Sequence, residues 1–299
     1  MQLLGGALQQ LRAQRGEAVA YLEHHRTFFA ELITANVGIT GEDARALVAA
    51  FTGTPRERFV GPGPWKVFTP AGYIQTPSDD PALIYQDITI ALSAADSINN
   101  GQPTLHALAL AAVNVKPGET VVHVGAGTGY YTAVLARLVE SSGVVFAYEL
   151  EQALASKAAA NLADFENIRV SHRSGAIAPL PDCDVVYVNA GATDPMDVWL
   201  DALRIGGRLL FPLTPAKGVG GMLLVTRRTS GWFDARFVSR AMFIPCIGAR
   251  DDETALRLSA AFQREDWWQV QSLRRDASPD ASVWVSGRRW WLSKSPNAQ

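Results

Sequence analysis

The sequence predicts an α/β fold, a parallel sheet covered by helices on both faces. Two observations carry this. From Pro117 onward, short apolar runs rich in β-branched residues alternate with amphipathic runs at helical spacing. Strand, helix, strand at that rhythm means a buried parallel sheet. The loop after the first of these strands is bare, with Gly125, Gly127 and Gly129 at alternate positions. A helical N-terminal part precedes the sheet, and an aromatic-rich C-terminal extension follows it.

Composition bounds the rest. Of 299 residues, 48% are hydrophobic and 19% charged, which is globular material with enough apolar mass for a core. A net charge of −2 gives no electrostatic reason to expect nucleic acid or an anionic membrane as partner. Two cysteines, Cys183 and Cys246, make neither a disulfide framework nor a metal motif and point to a reducing compartment. With no signal-peptide pattern and no run of about 18 apolar residues, the expectation is a soluble cytoplasmic protein.

The elements follow in order. Leu3, Leu4, Leu8 and Leu11 recur at helical spacing, and Phe28, Phe29, Leu32 and Ile33 do so again. "GEDARALVAAF" predicts a helix from Gly41 and Glu42 through Phe51. Gly61 to Pro81 is rich in Gly and Pro and reads as a loop or strap. "ETVVHVG" is a buried strand. "GYYTAVLARLVESSG" is a helix with an apolar stripe of Tyr131, Val134, Leu135, Leu138 and Val139, closed by Gly143. "VVFAYELE" is a strand, "QALASKAAANLADF" a helix, "NIRVSHRSG" and "CDVVYVNAG" strands. "MDVWLDAL" is a helix before the strand "GGRLLFPL". "GMLLVTRR" and "DARFVSRAMFIPC" close the sheet. After Asp251, the helix "ETALRLSAAFQRE" leads to Trp267, Trp268, Trp284, Trp290 and Trp291. So much apolar surface packs on the main domain or on a second subunit, or else forms an aromatic lip that grips a substrate. The expected domains are 1–80 (helices and strap), 81–250 (the α/β domain) and 251–299 (the extension).

The glycine loop sits where open α/β sheets bind ligands. Glycine lets a ligand lie against the backbone, and the helix beginning near Gly129 offers free N–H groups to an anion. The dinucleotide fingerprint is G-x-G-x-x-G; here the spacing is G-x-G-x-G. Glu149 ends the second strand about 20 residues on, where an acid reaches ribose hydroxyls. Together these resemble the S-adenosylmethionine loop of Rossmann-type methyltransferases. The plainer alternative is a loop whose glycines serve only a tight strand-to-helix turn.

More of the chain resembles one family. "VAAFTGTPRERFVG" is similar to the "AF-x-x-VPRE-x-FV" stretch of protein L-isoaspartate O-methyltransferases, and "YQDITIAL" to their "Y-x-D-x-x-x-x-I". "KPGETVVHVGAGTGYYTAVLARLV" resembles their "VLEIGTGSGYQ" region, "LRIGGRLLFPL" their "LKPGGRLVIPV", and "FIPCIG" their "FVPL-x-G". The matches run in order over residues 41 to 248. The resemblance implies a Rossmann-like, seven-stranded methyltransferase sheet, S-adenosyl-L-methionine as cofactor, and methyl transfer to a carboxylate of a protein, peptide or small acceptor. It implies cofactor contacts from His123, Gly125, Ala126, Gly127, Thr128, Gly129, Tyr130, Glu149, Leu150, Ser174 and Gly175. It implies an acceptor loop at Asn99, Asn100, Gly101 and Gln102. A homodimer through the extension is a further expectation, with neither nucleic acid nor membrane as partner.

Three positions depart from the family pattern. The serine of its "T-I-S-x-P" loop falls on Gly101, which has no hydroxyl; Asn99, Asn100 and Gln102 offer amide donors instead. A serine restored at Gly101 is therefore expected to raise isoaspartyl methylation. The acid of "LEIG" is His123, read either as a contact to the cofactor, direct or through water, or as a buried neutral histidine bonded to a neighbouring backbone carbonyl. The acid-glycine pair after the third strand is Ser174-Gly175. His106 reads as a weaker pocket candidate or a helix-packing residue. Alternatives that remain are a relative acting on a different acceptor, a cofactor-binding protein without catalysis, and a nucleotide-dependent oxidoreductase, which the glycine spacing disfavours.

Overall fold

A computed structural model describes the backbone of residues 2–95, 97–177, 179–229, 231–275 and 278–296, with side chains described from residue 19 onward and at Gly16. The leucine series from Leu3 to Leu11 thus has its helix but not its side chains among the described residues. The chain forms two compact units, Met1–Ala107 and Leu108–Gln299.

The first unit begins with α1 (Gln2–Ala35) and α2 (Gly41–Thr52). Glu42 and Asp43 lie in the first turn of α2, where the positive end of the helix dipole favours carboxylates. Phe29 and Ile33 of α1, one turn apart, are buried with Leu47, Ala50 and Phe51 of α2. Phe28 and Leu32, on the other side of the same periodic run, are exposed. The expected strap contains an antiparallel hairpin, β1 (Lys66–Thr69) and β2 (Gly72–Gln75), with Val67 opposite Ile74. Its prolines fall before β1, in the turn and after β2, so none removes a ladder donor. A second small pair, β3 (Ala91–Ser93) and β4 (Ile98–Asn99), leads to Asn100, Gly101 and Gln102. Arg56, fully buried, donates to the carbonyls of Ile84, Gln86 and Ile88 and so fixes the segment before β3.

Helix α3 (Pro103–Val113) carries the chain into the second unit. There β5 (Thr120–Val124), α4 (Tyr130–Val139), β6 (Val144–Glu149), α5 (Gln152–Asn161) and β7 (Ile168–His172) alternate. Next come β8 (Cys183–Val188), α6 (Asp197–Ala202), β9 (Leu203–Leu213), β10 (Gly220–Arg227) and β11 (Phe233–Ala241). These seven strands form one sheet in the order β7-β6-β5-β8-β9-β10-β11, parallel as far as β9 and antiparallel beyond it. Helix α4 is buried along its length except at Arg137, so the predicted stripe is the core of a wider buried surface. It stops before Gly143: Glu140 takes the left-handed turn at φ 56°, and Gly143 instead allows a close approach, since a Cβ there would stand 2.6 Å from the Glu119 carbonyl.

The C-terminal residues extend this sheet to ten strands. After α7 (Asp252–Gln263), β12 (Ser272–Arg274) pairs with β11, and β13 (Val283–Ser286) and β14 (Trp291–Ser293) follow outward in the order β12-β14-β13. Trp284, Trp290 and Trp291 are buried in this edge, Trp267 is half-buried and Trp268 is exposed. The rings of Phe237, Phe262 and Trp284 stack edge to face at 5.2–5.5 Å. No helix among the described residues is long and apolar enough to cross a membrane.

Candidate active site

The sheet order puts β5 beside β8, while the chain leaves β5 toward β6 and β8 toward β9. That is the topological switch point, where open α/β sheets bind ligands beyond the carboxyl ends of the strands. Residues 125–129 form the loop after β5. Gly125, Gly127 and Gly129 have φ of 78°, 58° and 98°, in the left-handed region that disfavours side chains. Gly129 is also needed for space, since a Cβ there would lie 2.7 Å from Leu162 Cδ1. Gly125 and Ala126 both donate to the Tyr148 carbonyl, at 2.9 and 3.1 Å, which folds the loop back on β6. The Asn161 side chain holds the Thr128 carbonyl at 2.9 Å. Helix α4 starts at Tyr130 with no side-chain cap from Gly129, so its first N–H groups face the loop uncapped by a side chain.

Glu149 reaches this loop. Its carboxylate accepts from the Gly127 N–H at 2.7 Å and the Glu151 N–H at 3.0 Å, and the residue is 7% exposed. Two acceptor oxygens carry about four lone-pair sites, so each retains capacity for a hydroxyl. Leu150 is exposed beside it, and its carbonyl meets His172 Nε2 at 3.0 Å. Ser174 and Gly175 follow β7. Ser174 Oγ accepts from the Ala176 N–H at 3.2 Å. Gly175 packs so closely on the end of β5 that a Cβ would meet Val124 Cγ2 at 2.6 Å, and its carbonyl accepts from the buried Trp199 indole at 2.8 Å. Trp199 was not singled out in the sequence.

His123 is fully buried in β5. Nδ1 meets Thr132 Oγ1 at 2.8 Å and Nε2 meets Asn189 Nδ2 at 2.9 Å. Burial pushes its pKa down to about 3, so the ring is neutral. The ring is buried and neutral, but the backbone carbonyl expected as its partner is replaced by two side chains, Thr132 and Asn189. Asn189 and Thr132 escaped the sequence reading; the polar residue ending the apolar run "VVYVN" was the available signal.

In the first unit, Asn99 to Gln102, the stretch expected to form the acceptor loop, is held by its own neighbours. Asn99 accepts from the Tyr73 hydroxyl at 2.8 Å. Asn100 bonds both backbone groups of Ile90: its N–H donates to the carbonyl at 2.9 Å and its Oδ1 accepts from the N–H at 2.8 Å. Its Nδ2 is buried with no partner among the described residues. Gly101 has φ 77°. Gln102 donates to Asp87 at 2.9 Å, and Asp87 also accepts from the Thr104 N–H at 2.8 Å. His106 is buried in α3, the packing alternative of the two read from sequence.

Comparison with known proteins adds to this geometry. Residues 43–251 match the family described as Protein-L-isoaspartate(D-aspartate) O-methyltransferase. A protein-L-isoaspartate O-methyltransferase of Methylorubrum populi is 32% identical over 174 residues, covering 57% of this chain and 79% of the relative. One from Methanothermobacter thermautotrophicus is 26% identical over 209 residues, covering 69% and 88%. A solved protein-L-isoaspartate O-methyltransferase structure aligns with TM-score 0.61 at 22% identity, over 80% of this chain and 68% of the other. Another, from Plasmodium falciparum in complex with S-adenosyl-L-homocysteine, aligns with TM-score 0.57 at 18% identity, over 73% and 97%. The alignment with these structures gives the Rossmann-like methyltransferase fold, and the family match makes the chain an S-adenosylmethionine-dependent methyltransferase. The family match spans well over half of the chain. The chain belongs to the protein-L-isoaspartate(D-aspartate) O-methyltransferase family.

Proposed function

We propose that this protein transfers the methyl group of S-adenosyl-L-methionine to a carboxylate of a protein or peptide acceptor. The observation that carries the reading is the closure of Glu149 on the glycine loop, within a chain that matches the family. The residues present fit the cofactor: three left-handed glycines leave the backbone bare, Gly129 at the start of α4 has no side chain to occupy the helix end, and Glu149 has acceptor capacity left. The N–H groups at the start of α4 hold the cofactor's carboxylate. Glu149 takes the ribose hydroxyls, Leu150 covers the sugar, and Ser174 and Gly175 border the adenine.

The cofactor's sulfonium supplies an electrophilic methyl group. An acceptor carboxylate is already ionised near neutral pH, so no side chain needs to remove a proton. The work of the protein is to align the acceptor and keep water out. Asn99, Asn100, Gly101 and Gln102 form the acceptor loop, and Asn100 Nδ2 is its spare donor for the carboxylate. The second reading of the acceptor, a carboxylate other than isoaspartate, rests on Gly101, which has no hydroxyl where the family pattern has serine.

Incubation with methyl-labelled S-adenosylmethionine and isoaspartyl, aspartyl and small-acid acceptors tests both. A base-labile methyl ester is expected on at least one of them, and the acceptor that gives it decides between the readings. Absence of cofactor-dependent ester on every carboxylate overturns the proposal.

A further inference from the structure

Asn189 directly follows β8, where the glycine loop leaves β5. These are the two strands that flank the switch point. Its N–H donates to the Val124 carbonyl at 2.8 Å, and a Cβ on Gly125 would lie 3.6 Å from the Asn189 Cβ. The carboxamide therefore stands directly beside the loop.

Its orientation is determined by His123. The neutral ring has one donor and one acceptor nitrogen. Nε2 accepts from Asn189 Nδ2 at 2.9 Å, so the proton sits on Nδ1 and is donated to Thr132 Oγ1 at 2.8 Å. The carboxamide nitrogen points at the imidazole and the oxygen away from it. Asn189 Oδ1 is shielded from water and has no donor among the described residues. A buried acceptor without a donor is unfavourable and calls for an explanation.

The amino-acid end of the cofactor carries a carboxylate and an ammonium on one carbon. Helix α4 serves the carboxylate, and its N-terminus repels the cation. The ammonium needs acceptors, and His123, standing where the sequence comparison aligned an acid, is neutral and has both ring nitrogens engaged. We infer that Asn189 Oδ1 accepts a hydrogen bond from the α-ammonium group of bound S-adenosylmethionine, with His123 and Thr132 as positioning residues that fix the carboxamide. This rests on the cofactor reading above.

Calorimetry with two ligands tests it: S-adenosylhomocysteine, and the analogue in which hydrogen replaces its α-amino group. Asn189→Ala should weaken S-adenosylhomocysteine about ten- to hundredfold, as for a hydrogen bond to a charged group, and leave the analogue unchanged. Asn189→Asp, which keeps an acceptor oxygen, should retain tight binding. Equal losses for both ligands, or none, overturn the inference while leaving the cofactor reading intact. A native protein that binds neither ligand overturns both. Nitrogen-15 shifts of the His123 ring give a readout independent of affinity. The Nδ1–H tautomer is expected, and Nε2–H would turn the carboxamide round and overturn the assignment.

Discussion

Glu149 bonds the Gly127 N–H at 2.7 Å with one carboxylate oxygen and the Glu151 N–H at 3.0 Å with the other. The end of β6 is thereby tied to the loop after β5, and the acid proposed to take the ribose also shapes the glycine loop.

Removal of this carboxylate should affect ligand and loop together. Glu149→Ala is expected to weaken S-adenosylhomocysteine by about 1–3 kcal/mol, the range for a hydrogen bond to a charged group or for a donor left unpaired. Calorimetry measures it, and unchanged affinity removes Glu149 from the cofactor site.

The acid sensitivity of the fold should carry a mark of His123. Its pKa is about 3 in the folded chain, because of burial, against about 6.5 when unfolded. Between those values the unfolded state binds one more proton. Stability therefore rises with pH across that window and is lost as pH falls, by up to about 1.4 kcal/mol per pH unit. Urea titrations from pH 7 to pH 4 should show a steeper loss for the native protein than for His123→Gln. Parallel curves would mean a ring already accessible to protons.

The acceptor loop gives a paired test. Asn100→Asp keeps the acceptor oxygen that holds the Ile90 N–H but removes the spare donor, and methyl transfer should fall on the order of 10²–10³-fold, as for loss of one positioned donor. Gly101→Ser restores the hydroxyl at φ 77°, where a side chain costs about 1–2 kcal/mol. The structure thus tempers the gain expected from sequence: a lower melting temperature should accompany any gain in isoaspartyl methylation. A variant that is faster and equally stable shows that the loop tolerates a side chain there.

Two tryptophans of the extension should behave oppositely. Trp291, buried in β14 beneath the Arg274 guanidinium at 4.7 Å, should cost about 3–5 kcal/mol on replacement by Ala. Trp268→Ala, at an exposed position, should fall within about 0.5 kcal/mol of the native protein. Denaturant unfolding measures both.

The parts that were legible in the sequence were those with a local signal. The series from β5 to β11 announces itself by period, and the loop by three glycines and an acid. The hairpin β1–β2 was masked by prolines, which turn out to sit outside its two strands, at its ends and in its turn. Strands β12 and β14, three residues each, are too short for alternation to register, and their burial depends on partners far away in the chain. Asn189 lies 66 residues from His123, and only the crossing order of the sheet brings them together.

The outward pairing of β11 with β12 has a consequence for synthesis. Roughly 30 residues separate the end of β11 at Ala241 from the start of β12 at Ser272, a delay of a few seconds at ~5–20 residues per second of translation. During that interval the nascent chain presents a nine-residue strand with one row of unpaired backbone groups, the kind of edge on which other chains can add. The finished sheet ends instead in strands of three and four residues, which offer a far shorter template. In the finished sheet β12 pairs with Phe233 and Asp234 of that edge, so the extension shortens the open row of β11 at one end.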